Sequence, residues 1–292
     1  MRTEALLELA RRTGDLRTQG QLLNNLGMLA HNRGDIVGSI RWYEQALQCH
    51  RQVGALHFEA GVLSNLGYAE LGLGDYDRAR AYFGEASGLL SRIGQRNLEA
   101  IVLINLAIAA LNSGQADQAL SLVGQALPIL DAAGSRWAEA AALRVSGQAH
   151  LALGSSAQAV QHLTQARDTF TSLGLLPLAT EASASLASAQ WAAGERPIAL
   201  AQAQAIWLAL NKDDSVMGAE EPLRVYLECW EILHATGDSQ APPALAKACG
   251  ILMQRALAID DPARRDSFMH RVPHHRRLLE AWQAGAAPAP TA

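Results

Sequence analysis

The sequence predicts an all-α solenoid of stacked antiparallel helix pairs, and three observations carry that prediction. Glycines recur in register every 40 residues, and the apolar residues between them keep a helical period. The composition (292 residues, 49% hydrophobic, 5% aromatic, 18% charged) is that of a folded chain. A single compact core of this length lies near the size at which chains split into domains, which favours an elongated repeat or two domains.

The register runs through four series. Gly34, Gly74, Gly114, Gly154 and Gly194 are evenly spaced, as are Gly14, Gly54, Gly94, Gly134 and Gly174. The same interval separates Leu26-Gly27, Leu66-Gly67, Leu106-Ala107, Ser146-Gly147 and Leu186-Ala187, and also Ser39, Ala79, Ala119, Ala159 and Ala199. Within one unit, Leu22, Leu23, Leu26, Leu29 and Ala30 fall at helical spacing, then Ile36, Ile40, Tyr43, Ala46 and Leu47 do so after Gly34-Asp35. Each unit therefore reads as helix A over residues 20–33 and helix B over 36–53. Glycine ends each helix, because it takes the left-handed conformation without steric cost. Small residues at 27, 67 and 107 and at 39, 79 and 119 let the two helices approach closely. One such pair cannot bury its apolar face alone, so neighbours must stack.

The pattern Leu66-Gly67, Gly74-Asp75-Tyr76, Ala79, Tyr82-Phe83, Ala86 resembles a tetratricopeptide repeat. The usual unit has ~34 residues, so helix B and its connection are about six residues longer here. That extended form is similar to repeats in kinesin light chains, in spindle-orientation adaptors that bind GoLoco motifs, and in bacterial multidomain regulators. The resemblance implies a right-handed superhelix of five units over residues 20–210, with Ser146 and Ile206 as departures from the pattern. Residues 1–19 read as a half repeat, since Thr3–Gly14 matches the helix B of a preceding unit. Residues 211–219 read as a linker loop and 220–260 as a degenerate sixth pair around Gly237-Asp238. Capping helices over 261–283, a divergent C-terminal cap, and a disordered Ala/Pro tail over 284–292 follow.

The segment from Ala256 to Arg276 resembles the C-terminal ends of large bacterial proteins that join a signalling output to a P-loop ATPase. That resemblance implies the sensor or regulatory region of a larger bacterial signalling protein, with fused ATPase and output domains as partners. The half repeat at the N-terminus fits the same expectation.

Other classes do poorly. A formal net charge of −4 gives no global pull towards nucleic acid or an anionic membrane. The longest apolar run, Ile101 to Leu111, is interrupted by Asn105 and too short to span a bilayer. Cys49, Cys229 and Cys249 form no CxxC pair and no disulfide framework, which predicts a reducing compartment and a cytoplasmic chain. No GxxxxGK[ST], GxSxG, HExxH or GxGxxG is present. The expectation is a non-enzymatic chain with no cofactor, no metal and no nucleic-acid partner. The cluster His270, His274, His275 with Arg264, Arg265, Arg271, Arg276 and Arg277 is interleaved with acids and reads as a solvated cap helix. Trp137, Trp191, Trp207, Trp230 and Trp282 read as fillers of the seams between helices.

Stacked pairs leave helix A of each unit on a concave face. Asn25, Asn65 and Asn105 hold one position on three successive A helices. In similar repeat proteins an asparagine just before the Leu-Gly pair faces the groove and hydrogen-bonds an extended peptide. Its carboxamide offers donor and acceptor together, matching a peptide bond whatever the side chain. The other reading of the ladder is a bond from each Asn to a neighbouring helix. The ladder ends at Val145 and Ser185. The predicted partner-binding residues are Asn25, Met28, Asn65, Tyr68, Asn105, Ile108, Asn112, Arg144 and Gln148, on a face apolar in its middle. The predicted function is protein–protein interaction with a peptide or partner protein. The alternative is a self-associating scaffold that forms a homodimer.

Overall fold

A repeating local rule builds the chain. In the computed structural model, which describes residues 2–212 and 219–286, Gly34 takes φ 82° and Gly74 takes φ 76°, each in the turn after a helix A. At the first of these turns Asp35 N donates to Ala30 O at 3.0 Å and Gly34 N to His31 O at 2.8 Å, closing the last carbonyls of the helix. The same aspartate starts the next helix, its Oδ1 accepting from Gly38 N at 2.8 Å; Asp75 repeats this with Arg78 N at 3.2 Å. Stop and start thus share three residues.

Among the described residues every regular element is an α-helix. In order they are α1 (Arg2–Thr13), α2 (Leu16–Asn32), α3 (Ile36–Gln52), α4 (Leu56–Gly72), α5 (Tyr76–Arg92), α6 (Arg96–Asn112), α7 (Ala116–Ala133) and α8 (Arg136–Ala152). There follow α9 (Ser156–Ser172), α10 (Leu176–Ala192), α11 (Arg196–Lys212), α12 (Pro222–Ala235), α13 (Ala241–Leu257), α14 (Pro262–His270) and α15 (Pro273–Ala286). The A helices are α2, α4, α6, α8 and α10. Each begins four residues earlier than the spacing predicts; Asp15 caps α2, accepting from Thr18 N at 3.1 Å, whereas Ala55, Ser135 and Leu175 start α4, α8 and α10 without a side-chain cap.

The small residues inside the pairs are required by aromatic and leucine knobs. A Cβ on Gly27 would lie 2.4 Å from the Tyr43 ring, one on Gly67 2.6 Å from Phe83, and one on Gly147 2.5 Å from Leu163. Phe83 and Leu163 are fully buried at these crossings.

The chain divides within α6 into two compact units, residues 1–109 and 110–292. In unit 1, α2 packs on α3, α3 on α4, α4 on α5, and the A helices α2 and α4 touch. In unit 2 the same succession joins α7 to α11, and α8 touches α10. There α12 packs on both α10 and α11, α13 and α15 gather against α12, and α14 packs on α13 and α15.

Helix α11 runs two residues into the stretch read as a linker, and 213–218 lie outside the described residues. Helix α15 continues to Ala286, so 284–286 are helical where the sequence reads as a disordered tail; 287–292 lie outside the described residues. Trp207 is buried, its Nε1 donating to Gln240 Oε1 at 3.1 Å, whereas Trp137 and Trp282 are exposed and fill no seam.

Candidate functional site

In unit 1 the A-helix face is an open cleft of about 540 Å³. The 40-residue register decides its lining: Gln21 and Gly61 share one position, Asn24 and Ser64 a second, Asn25 and Asn65 a third. Phe58, Leu98, Ile101 and Val102 supply the apolar wall, and His50 reaches in from helix α3. Among the described residues no Asp, Glu, Lys or Arg lines this cleft.

Asn65 and Asn105 follow the reading in which the ladder bonds a neighbouring helix. Asn65 Nδ2 donates to Asn24 Oδ1 on the preceding A helix at 2.9 Å, and Asn105 Nδ2 lies 3.4 Å from Ser64 Oγ in the same sense. Yet Asn65 and Asn105 remain half-buried and Asn25 is exposed, so their amides also meet solvent. Of the predicted residues, Asn25 and Asn65 line the cleft. Met28 is exposed, its Sδ 3.8 Å from Asn24 Nδ2, and Tyr68 sits against the His31 ring at 5.5 Å. Ile108 is buried.

In unit 2 the corresponding face is covered by the chain itself. The residues leading into α12 lie across α8 and α10: Glu221 N donates to Glu181 Oε1 at 2.7 Å and Glu220 N to Glu181 Oε2 at 3.2 Å. Arg144 pairs with Glu220. Asn112 Nδ2 donates to Glu221 Oε1 at 3.1 Å, and Arg224 Nη2 to Asn112 Oδ1 at 2.9 Å. Gln148 Nε2 donates to Ser185 Oγ at 3.0 Å, and Ser185 Oγ donates onward to the Glu228 carboxylate at 3.1 Å. Where the sequence places Asn112, Arg144 and Gln148 on an open groove, the structure buries all three in this network. The reason is electrostatic: Glu181 and Arg144 attract a segment that carries two carboxylates and two free amide hydrogens.

Burial raises the Glu228 carboxyl to about 8 against the pull of Arg224, and raises Glu181 against that of Arg144. Burial alone would raise Glu221 too, but Arg224, His274 and Arg144 carry it well below the usual carboxylate range. Perturbed carboxyls of this kind mark either active sites or ion-pair networks. Here each one has its partners within the protein, which is the second case.

The basic cluster at the C-terminus is only partly solvated. His270 is exposed, but His274 and His275 are buried, with His275 Nδ1 2.7 Å from Phe268 O and burial holding both histidines low. They are core residues of the cap. The three cysteines are buried, and burial pushes each thiol up, Cys249 to about 11, so none is a nucleophile at neutral pH. Among the described residues no group of three His, Cys, Asp or Glu could hold a metal, and no helix is long and apolar enough to cross a membrane.

Gln21, Asn24, Ser64, Phe58 and His50 were not among the residues singled out by sequence. The first three had a signal: each stands four residues from, or next to, a ladder asparagine on the same A helix, and two recur in register. Nothing in the pattern points to His50, which comes from a B helix.

The architecture is that of a helical-repeat protein. The family model described as Tetratricopeptide repeat matches residues 18–91 and again 58–132, two matches that start one glycine period apart. Residues 18–132 thus carry tetratricopeptide repeats, and the fold of the chain is a tetratricopeptide-like helical solenoid. Compared by sequence with curated proteins, it has no match. Among solved structures it is similar to a Rap protein complexed with Competence and Sporulation Factor, with a TM-score of 0.65 and 15% identity over 91% of this chain and 76% of that one. A Rap conjugation gene regulator of plasmid pLS20, in complex with the Phr* peptide, has a TM-score of 0.62 and 16% identity over 96% and 79%. A signal transduction ATPase with numerous domains and a tetratricopeptide repeat sensor, from Pyrococcus horikoshii, has a TM-score of 0.58 and 16% identity. This chain covers 40% of that ATPase, and 90% of this chain is matched. At these identities the likeness is one of fold.

Proposed function

We propose that the chain is a non-enzymatic interaction module whose unit 1 cleft binds an extended segment of a partner polypeptide. The observation that carries this reading is the cleft itself: half-exposed carboxamides recurring in register on stacked A helices, beside an apolar wall. Each carboxamide matches the donor–acceptor pair of a peptide group. The bond to Asn24 fixes the Asn65 carboxamide in advance, so little of its side-chain freedom is lost on binding. Two similar structures were determined with a peptide or factor bound, which supports the same reading. The likeness to an ATPase with a repeat sensor supports a place as the sensor region of a larger bacterial signalling protein.

Gly61 gives a direct test, because a side chain added there meets open space within the cleft, as one added at Gly84 does on α5. With benzoylphenylalanine at 61, irradiation in cell extract is expected to cross-link a polypeptide, and Asn65→Ala is expected to reduce that yield. Equal capture from position 84 would contradict the reading. Capture of a second copy of this chain would replace it with the self-associating scaffold.

A further inference from the structure

The neutrality of the unit 1 cleft restricts what can enter it. We propose that the cleft takes an uncharged stretch of extended polypeptide, with an aliphatic side chain lodged on Phe58 and Ile101 and with His50 as the specificity-determining residue beneath them. This rests on the peptide-binding reading above and names the chemistry of its ligand.

Three observations converge. First, the absence of a charged lining residue among those described means that a carboxylate or ammonium would shed water without a counter-charge. In a partly enclosed cleft that loss disfavours either ion. Second, the polar groups present suit peptide bonds. Asn25 makes no side-chain hydrogen bond among the described residues, and Asn65 has Oδ1 left over once Nδ2 is committed to Asn24. Third, His50 is 1% exposed and lines the cleft, yet its Nδ1 has no hydrogen-bond partner. A buried polar atom left unbonded is costly, and folded proteins hold few of them.

The surroundings of His50 are built to hold the ring in place. Gly20 makes room for it, since a Cβ there would lie 2.5 Å from Cε1, and Phe58 stacks over it with centroids 5.3 Å apart and planes 19° apart. Phe58 is itself 37% exposed, so a ligand side chain that shifts it opens Nδ1 to a peptide group. Burial holds the imidazole below its ordinary pKa, so it stays neutral at pH 7 and adds no charge to the cleft. Of the charges that act on it, Glu59 is bonded to Arg51 at 3.0 Å and Arg17 lowers the ring further.

The experiment uses the full chain and a positional-scanning library of nonapeptides with acetylated and amidated ends, read by fluorescence polarisation. Sublibraries with Leu, Ile or Val fixed at the centre are expected to bind about tenfold more tightly than those with Asp or Lys there. Phe58→Ala is expected to erase that preference while the chain stays folded, melting lower for the lost stacking on His50. As a check needing no variant, the ring-nitrogen NMR signal of His50 Nδ1 in the unsubstituted chain is expected to shift on addition of the Leu sublibrary. Charged and aliphatic sublibraries binding equally, with binding still lost in Asn65→Ala, would overturn this inference and leave the peptide reading standing. A His50 signal that stays fixed while the Leu sublibrary binds would remove His50 from the proposal. No binding by any sublibrary would overturn both.

Discussion

Units 1 and 2 put different residues into the same repeat positions, and the two faces have opposite fates. At one A-helix position unit 1 carries Gln21 and Gly61 where unit 2 carries Glu181; at another it carries Asn24 and Ser64 where unit 2 carries Arg144. Neutral amides leave the first face open to water as a cleft. An acid and a base close the second, because a buried charge is tolerated only with partners, and the chain supplies them from Glu220, Glu221 and Arg224. A repeat register therefore specifies the scaffold without specifying a groove. One charged residue on each of two helices decides whether the face stays open or becomes core.

The contrast is broken most severely at Arg144. Arg144→Ala leaves Glu181 and Glu220 without their cation, and the expected loss in unit 2 is about 3–5 kcal/mol. In a Trp42→Phe background all remaining tryptophans lie in unit 2, so their fluorescence during urea unfolding reads that loss. The next effect is one of pH. Glu181 and Glu228 have raised folded pKa values, so their contribution is full below about 4.5 and is lost as pH rises towards 8. His274 and His275 have lowered ones, so theirs is full above 6.5 and is lost as pH falls below it, for His275 towards about 4. Unit 2 is expected to gain stability from pH 8 to 6.5, to hold level to about 4.5, and to lose it below, where Glu221 protonates in the unfolded chain but stays ionised in the folded one. The same fluorescence, followed in thermal melts across pH, checks the profile; a steady rise in stability from pH 5 to 8 would refute it.

Smaller effects belong to unit 1. Gly67→Ala forces a methyl to 2.6 Å from the Phe83 ring, with an expected cost of about 1–3 kcal/mol in chemical denaturation. Asp75→Ala removes the cap of α5 and is expected to cost about 1 kcal/mol. Asn65→Ala loses a half-exposed hydrogen bond worth about 0.5 kcal/mol, so the melt is expected to stay almost unmoved while cross-linking from position 61 falls. A large drop in stability at Asn65 would make it a packing residue and dissolve the difference between the units.

Much of this was legible in the residue order. The glycines fixed the turns, and Gly27 and Gly67 marked the helix crossings before the Tyr43 and Phe83 rings that need them were seen. Asn25 and Asn65 were legible because a polar residue recurring in register has few reasons to recur. The closure of unit 2 was not. Asn112, Arg144, Glu181, Glu221 and Glu228 are distant in sequence, and only the path of the chain into α12 brings them together. A faint signal existed in Arg144 and Glu181, which are charged where the other units carry amides, serine, glycine or apolar residues. His274 and His275 misled in the same way, since a basic run on a short helix reads as solvated until the helix is seen to bury one side.

Paired thiols test the central claim most directly. Gly61→Cys and Ala141→Cys place a sulfur at the same repeat position, exposed in unit 1 and buried in unit 2, in a chain whose own three cysteines are buried. Under native conditions a maleimide is expected to label position 61 at the rate of a free thiol and position 141 only as fast as unit 2 opens. Equal labelling rates would mean that the two faces are alike and that the cleft is not distinct.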